Sequence, residues 1–201
     1  MFTQMKKRRY ALKKRAESKE ETRARIVAAT IDLHETLGPR ATTISAIADR
    51  AGVQRLTVYR HFPDEAAVFQ ACTSHWIALN PPPEPASWTE IADPVARAGK
   101  AFRVLYDYYR RTEKMWDASH RDEPHVPALQ PPMQAFRDYL DQVRTTLLEG
   151  VPAKHRKECA AILGHGLRFT TWQSLAREKL RDAEMASLVA TWLKAALSAE
   201  A

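Results

Sequence analysis

The sequence is short of the residues on which stapled or nucleotide-gripping folds depend. Its 201 residues hold two cysteines, Cys72 and Cys159, too few and too far apart for a disulfide framework, so free thiols in a reducing compartment are expected. Six glycines leave little room for a phosphate-cradling loop, and Gly164-His165-Gly166 lacks the strand-turn-helix setting such a loop requires. No apolar run reaches 18 residues, and the basic N-terminus is not followed by the apolar stretch of a secretory signal; a cytoplasmic chain with no membrane partner is the expectation. Metal ligands do not assemble either. Cys72 and His75 make only two, and His120, Asp122, Glu123 and His125 fall in a proline-bounded segment that reads as solvated. No catalytic constellation, metal or cofactor is expected, which argues against an enzyme.

The positive charge is unevenly spread. The formal net charge is +7, yet residues 1–21 carry eight Lys/Arg against three acids while residues 77–201 carry seventeen against sixteen. A basic N-terminal arm over residues 1–18, with Lys6, Lys7, Arg8, Arg9, Lys13, Lys14 and Arg15, suits a polyanion, whose counterions it would release. A disordered, solvated tail is the alternative reading of the same arm.

Helical periodicity dominates and no stretch alternates with period two, so an all-α protein is expected. From about Lys19, residues Ile26, Thr30, Leu33 and Leu37 share one face, and Gly38-Pro39 ends the helix. Thr42-Thr43 offers an N-cap to a second helix with Ile44, Ile47, Ala48 and Ala51, closed by Gly52. A third spans Gln54 to His61, and after Phe62-Pro63 a fourth starts at Asp64 and runs to about Leu79. Pro81-Pro82-Pro83-Glu84-Pro85 reads as a stiff connector. Beyond it, helices are expected at about 94–111, 114–121, 132–149, 154–178 and 183–198, with a loop from Pro124 to Pro132.

The sharpest signal lies between Ile44 and Phe62. Two short helices that meet steeply need a small residue at their approach, a turn residue tolerant of positive φ, and apolar residues that bridge them; Ala48, Gly52 and Val58 stand at that spacing. Together with Ile47, Ala51, Val53 and Phe62 they describe a helix-turn-helix. With its flanking words Thr42-Thr43-Ile44, Ala51-Gly52-Val53 and Tyr59-Arg60-His61-Phe62-Pro63, the segment resembles the TetR/AcrR family of transcriptional regulators over residues 20–70.

That resemblance implies a three-helix DNA-binding domain at 19–66 and a helical ligand-binding and dimerisation domain at 67–201. It places Gln54, Arg55, Leu56 and Thr57 at the start of the recognition helix, where Gln can read adenine and Arg guanine. Thr43, Tyr59 and His61 match family positions that hold the phosphate backbone. Packing of Tyr59 across the domain core is the alternative. Where the family usually places a Lys or Arg at the start of helix 4, this chain has Glu65, which repels DNA; Arg60 or the basic arm is the expected compensation.

In the second half, Phe102, Tyr106, Tyr109, Trp116, Phe136 and Trp172 are candidates to line an effector chamber, with Tyr139 and Phe169 nearby and His120, Arg110, Gln173 or the tyrosine hydroxyls as polar groups. The same rings can simply fill a core. Met185, Leu188, Val189, Trp192, Leu193, Ala196 and Leu197 cover more than one stripe, and Gly164 and Gly166 suit a close neighbour. Leu163, Gly164, Leu188 and Trp192 are thus candidates for a homodimer interface, against intrachain packing. The expected partners are double-stranded operator DNA of pseudo-palindromic form, a second copy of the chain, and a small hydrophobic or aromatic effector that releases a repressor. A helix-turn-helix protein governed by a protein partner, without an effector, is the rival.

Overall fold

In the computed structural model, residues 2–199 are described, with side chains from Lys14 onward. Among them every regular element is helical. No described helix is long and apolar enough to cross a membrane. The chain divides into two compact units, Met1–Leu79 with Ala118–Leu129, and Asn80–Asp117 with Gln130–Ala201. The helix after Pro63 belongs whole to the first unit, whose edge falls at the proline-rich connector and not at residue 66.

The first unit is built on α1 (Phe2–Thr36), α2 (Ile44–Ala51), α3 (Arg55–His61) and α4 (Glu65–Leu79). Helix α1 starts at Phe2, well before the start near Lys19 that periodicity suggests, so the segment 2–18 that the sequence suggests as a disordered arm has helical backbone. Lys6, Lys7, Arg8, Arg9 and Lys13 lie outside the described side chains. The α1 stripe of Ile26, Val27, Ala29 and Leu33 packs with Ile44, Ile47, Ala48 and Ala51 of α2, Val58 and Phe62 around α3, and Val68 of α4. Each large apolar side chain removed from water there contributes roughly 1.5–3 kcal/mol.

Asp122, expected to be solvated, is buried in this unit. It ends α6 (Pro94–Asp122), and its carboxylate accepts the Arg40 backbone N–H at 3.0 Å and the Arg121 Nε–H at 2.9 Å. Gly38, at φ 93° and ψ 156°, occupies a region open essentially to glycine, and a Cβ there would strike Arg121 and Asp122. Nearby, the Cys72 sulfur lies 3.5 Å from His34 Nδ1, so the partner of this thiol is His34 and not His75. Burial lowers the His34 pKa to about 4, against an opposing pull from Asp122, and raises that of Cys72 to about 12 with help from Glu35. A neutral thiol thus faces a neutral ring. The proline-bounded segment expected as a loop forms short 3-10 turns at Glu123–His125 and Pro127–Leu129.

The second unit holds α5 (Ala86–Thr89), α6 up to residue 117, α7 (Gln130–Leu147), α8 (Arg156–Gly166), α9 (Phe169–Arg177) and α10 (Asp182–Ser198). Asp93 caps α6 by accepting the Ala96 N–H at 2.7 Å, and Pro94 follows as a first helical residue with no N–H to strand. The two helices expected at 94–111 and 114–121 are one, since nothing between Arg111 and Lys114 breaks the backbone. Conversely, the single helix expected at 154–178 divides: Arg168 is extended, with ψ 141°.

That division frees carbonyls, and side chains take them. The Thr171 hydroxyl donates to His165 O at 2.6 Å, Tyr106 to Gly166 O at 2.8 Å and Tyr109 to Leu167 O at 2.6 Å. Arg97, almost fully buried, donates to the carbonyls of Ile91, Leu147 and Glu149, a cation set against the C-terminal end of α7 where the helix dipole is negative.

Candidate DNA-binding face and aromatic cluster

The helix-turn-helix is assembled by local chemistry. The Thr43 hydroxyl accepts the Ala46 N–H at 3.2 Å and so caps α2. Gly52 ends it in the left-handed region, at φ 65° and ψ 42°, and Val53 N–H returns to Ala48 O at 3.0 Å. A Cβ on Gly52 would meet nothing within 4 Å, so the backbone conformation alone asks for glycine there. Gln54 precedes α3 as its cap residue, its carbonyl accepting from Thr57 and Val58.

On α3 a single side chain turns fully inward, Val58, with no exposure. Outward stand Arg55, Arg60, Leu56 at 60% exposure and Tyr59 at 41%; the Tyr59 ring therefore does not pack across the core. Gln54 and Thr43 are exposed, and Thr57 and His61 are half-buried. All eight residues singled out in the sequence lie on α3 or at the caps of α2 and α3. An Arg beside an exposed Leu offers two kinds of base readout, bidentate bonding to guanine and apolar contact with a thymine methyl.

Two cations were missed by the sequence reading. The Arg23 guanidinium lies over the Phe62 ring, 4.7 Å from its centroid. Burial lowers the His61 pKa, and the charges of Lys19 and Arg23 lower it further, with Glu20 opposing. The signal was present as Arg15, Lys19 and Arg23 at steps of four, continuing into the buried Val27.

The candidate effector residues Phe102, Tyr106, Tyr109, Trp116, Phe136 and Trp172 are all buried in the second unit. They form one connected cluster: Trp116 to Phe136 at 4.1 Å between ring centroids, Phe102 to Tyr106 at 5.8 Å, and Tyr109 to Phe136 and Trp172 at 6.2 and 6.0 Å. Tyr108, not singled out in the sequence, is buried among them. His120 falls in the other unit. Arg110 and Gln173, considered as polar pocket groups, bond instead to Asp182 at 3.0 Å and Asp117 at 2.7 Å.

Of the candidate interface residues, Leu163 has no exposure within the single chain, which removes it from a surface. The close neighbours expected for the glycines also belong to this chain: a Cβ on Gly166 would meet Val189 at 2.6 Å and Phe102 at 3.0 Å, and one on Gly164 would meet Arg144 at 3.2 Å. Met185, Val189, Leu193 and Ala196 form the inward stripe of α10, while Leu188 is half-buried and Trp192 is 36% exposed.

Residues 26–72 match the family model described as bacterial regulatory proteins, tetR family. Among solved structures, a TetR-like transcriptional regulator from Rhodococcus sp. RHA1 shares the fold at 18% identity and a TM-score of 0.64, over 89% of this chain and 97% of that one. A second transcriptional regulator from Rhodococcus sp. RHA1 aligns at 17% and 0.62, over 87% and 95%. The multidrug binding protein EbrR, solved with imidazole, aligns at 20% and 0.53, over 90% and 92%. No curated protein matches the chain. The segment that forms the helix-turn-helix, residues 26–72, thus carries the N-terminal domain of the tetR family of bacterial regulatory proteins.

Proposed function

We propose that this chain acts as a homodimeric transcriptional repressor that grips a pseudo-palindromic operator through α3 and leaves it when a small hydrophobic or aromatic molecule binds the second unit. The observation that carries the reading is the division of α3 into one fully buried residue, Val58, and an exposed set of Arg55, Leu56, Tyr59 and Arg60. A helix held by a single inward anchor presents the rest of its surface to a groove. Arg55 and Leu56 are assigned to base edges, and Thr43, Tyr59 and His61 to phosphates. Trp192 and Leu188, left over after α10 has buried its own stripe, are assigned to the contact with a second copy.

The effector site is assigned to the aromatic cluster around Tyr109. Planar apolar rings suit a planar apolar guest, and the similarly folded EbrR has been solved with imidazole. Selection of bound duplexes from a random pool tests the DNA reading, with half-sites expected in inverted repeat. Thermal stability against a panel of apolar ligands tests the effector, since a compound at a hundred times its dissociation constant adds about 2.7 kcal/mol. A protein that selects no duplex overturns the repressor. One that selects DNA but responds to no ligand, and is instead displaced by a co-purifying protein, replaces the effector with that partner.

A further inference from the structure

Helix α4 begins awkwardly for a DNA-binding unit. Glu65 occupies its first turn, and the Asp64 carboxylate already accepts the Ala67 N–H at 2.8 Å. Two carboxylates there repel a phosphate, so cations must come from elsewhere if the interface extends past α3. They stand on α1. His34 touches Cys72 while Arg23 touches Phe62, so α1 and α4 run side by side in the same direction, and Lys19 and Arg15 continue α1 beyond the start of α4.

Arg23 also borders a groove of about 630 Å³ lined by His61, Phe62, Pro63, Gln70 and Ser74 among others. A guanidinium held over an aromatic ring by its charge does not use its N–H donors on that ring. Neither Arg23 nor Lys19 has an acceptor among the described residues, and the His61 Nδ1 atom is buried without a partner. We propose that Lys19 and Arg23 of α1, with His61 at the end of α3, form a seat for a backbone phosphate of bound duplex DNA. This rests on the DNA-binding reading and adds an anchor point outside the recognition helix. Burial first, and then the charges of Lys19 and Arg23, depress the protonation of His61 in the free protein; an arriving phosphate offsets the share of the two cations and so favours the imidazolium as a further donor.

The test uses the full chain and a fluorescent duplex of mixed sequence, with affinity measured across a series of KCl concentrations. Lys19→Gln and Arg23→Gln are each expected to weaken binding several-fold at low salt. Each should flatten the slope of log affinity against log salt by about 0.9 for every phosphate that is no longer neutralised. Lys157→Gln, which removes an exposed cation on α8, controls for net charge, and thermal melts confirm that each variant is folded. Lys19 is exposed, so its variant stands even if Arg23→Gln fails to fold. A wild-type slope retained in Lys19→Gln, or an equal flattening in Lys157→Gln, overturns the seat while leaving DNA binding intact. Failure of the wild-type protein to bind any duplex overturns both. The His61 ring resonance is expected to shift on adding duplex; the same shift with inorganic phosphate alone would make this a free-anion site and overturn the assignment.

Discussion

The carboxylate of Asp122 accepts the backbone N–H of Arg40, 82 residues away in the chain, at 3.0 Å. Burial alone would raise the Asp122 pKa. The bonds from Arg121 and Arg40 together with their charges outweigh burial and hold it below the ordinary carboxylate value. Its stabilising contribution is therefore present above the unfolded-state pKa of about 4 and is lost as pH falls through the lower folded value. Asp122→Asn is expected to cost about 1–3 kcal/mol near neutrality, by weakening charged hydrogen bonds at a buried site. Denaturant titrations at neutral and acid pH check this; the variant should lose less stability than wild type at the acid end.

His34 titrates in a separate window. Its pKa is lowered to about 4, so the folded chain holds the ring neutral while the unfolded chain protonates it near 6.5. Stability from this group is complete above 6.5 and drains away between there and about 4, by up to about 3 kcal/mol. His34→Gln should remove that portion of the pH profile, measured by urea midpoints from pH 7 to pH 4.

The two structured glycines predict different costs. Gly52→Ala meets open space and only a left-handed backbone, so it should lose about 1 kcal/mol. Gly38→Ala adds a collision with Arg121 and Asp122 to a backbone region still less open to a side chain and should lose clearly more. Thermal melts of the pair decide; equal losses would mean that neither the collision nor the rarer backbone region at Gly38 adds a cost beyond that at Gly52.

On α3, Arg55→Ala and Tyr59→Phe should separate reading from holding. The first is expected to relax preference at one base position by about 1–3 kcal/mol, and the second to weaken all duplexes alike. Both residues are exposed, so folding should survive. Binding to a selected operator and to scrambled duplexes gives the comparison.

Trp192→Asp is expected to convert a dimer to monomer with little change in the fold of the single chain, because Trp192 lies outside the buried stripe of α10. Light scattering after size exclusion reads the mass directly. An unchanged dimer would move the interface off this face.

What was legible followed the range of the interactions. Gly52, Ala48 and Val58 act within a dozen residues, so their spacing, together with the apolar Ile47, Ala51, Val53 and Phe62 and the flanking words, announced the helix-turn-helix. Asp122 owes its burial to Arg40 and Gly38, which are remote in sequence, and a run of charges between prolines looked solvated. The break at Arg168 has no proline, and Gly166, which ends α8, does so without a positive φ; its stability comes from the hydroxyls of Tyr106 and Tyr109 on α6 and of Thr171 on α9. The cationic ridge of α1 was overlooked for another reason: Lys19 and Arg23 are interleaved with Glu17, Glu20 and Glu21, so charge summed along the chain hid what a helical face displays.

The phenols of Tyr106 and Tyr109 tie the aromatic rings to the two bare carbonyls at the end of α8. Any guest that wedges these rings apart strips a donor from a buried peptide oxygen. A plain hydrocarbon would leave that oxygen stranded, at a penalty of a few kcal/mol. If the proposed effector enters among these rings, a molecule with its own hydroxyl or amine would replace what it displaces, so apolar compounds carrying one or two donors are the expected hits of a ligand screen.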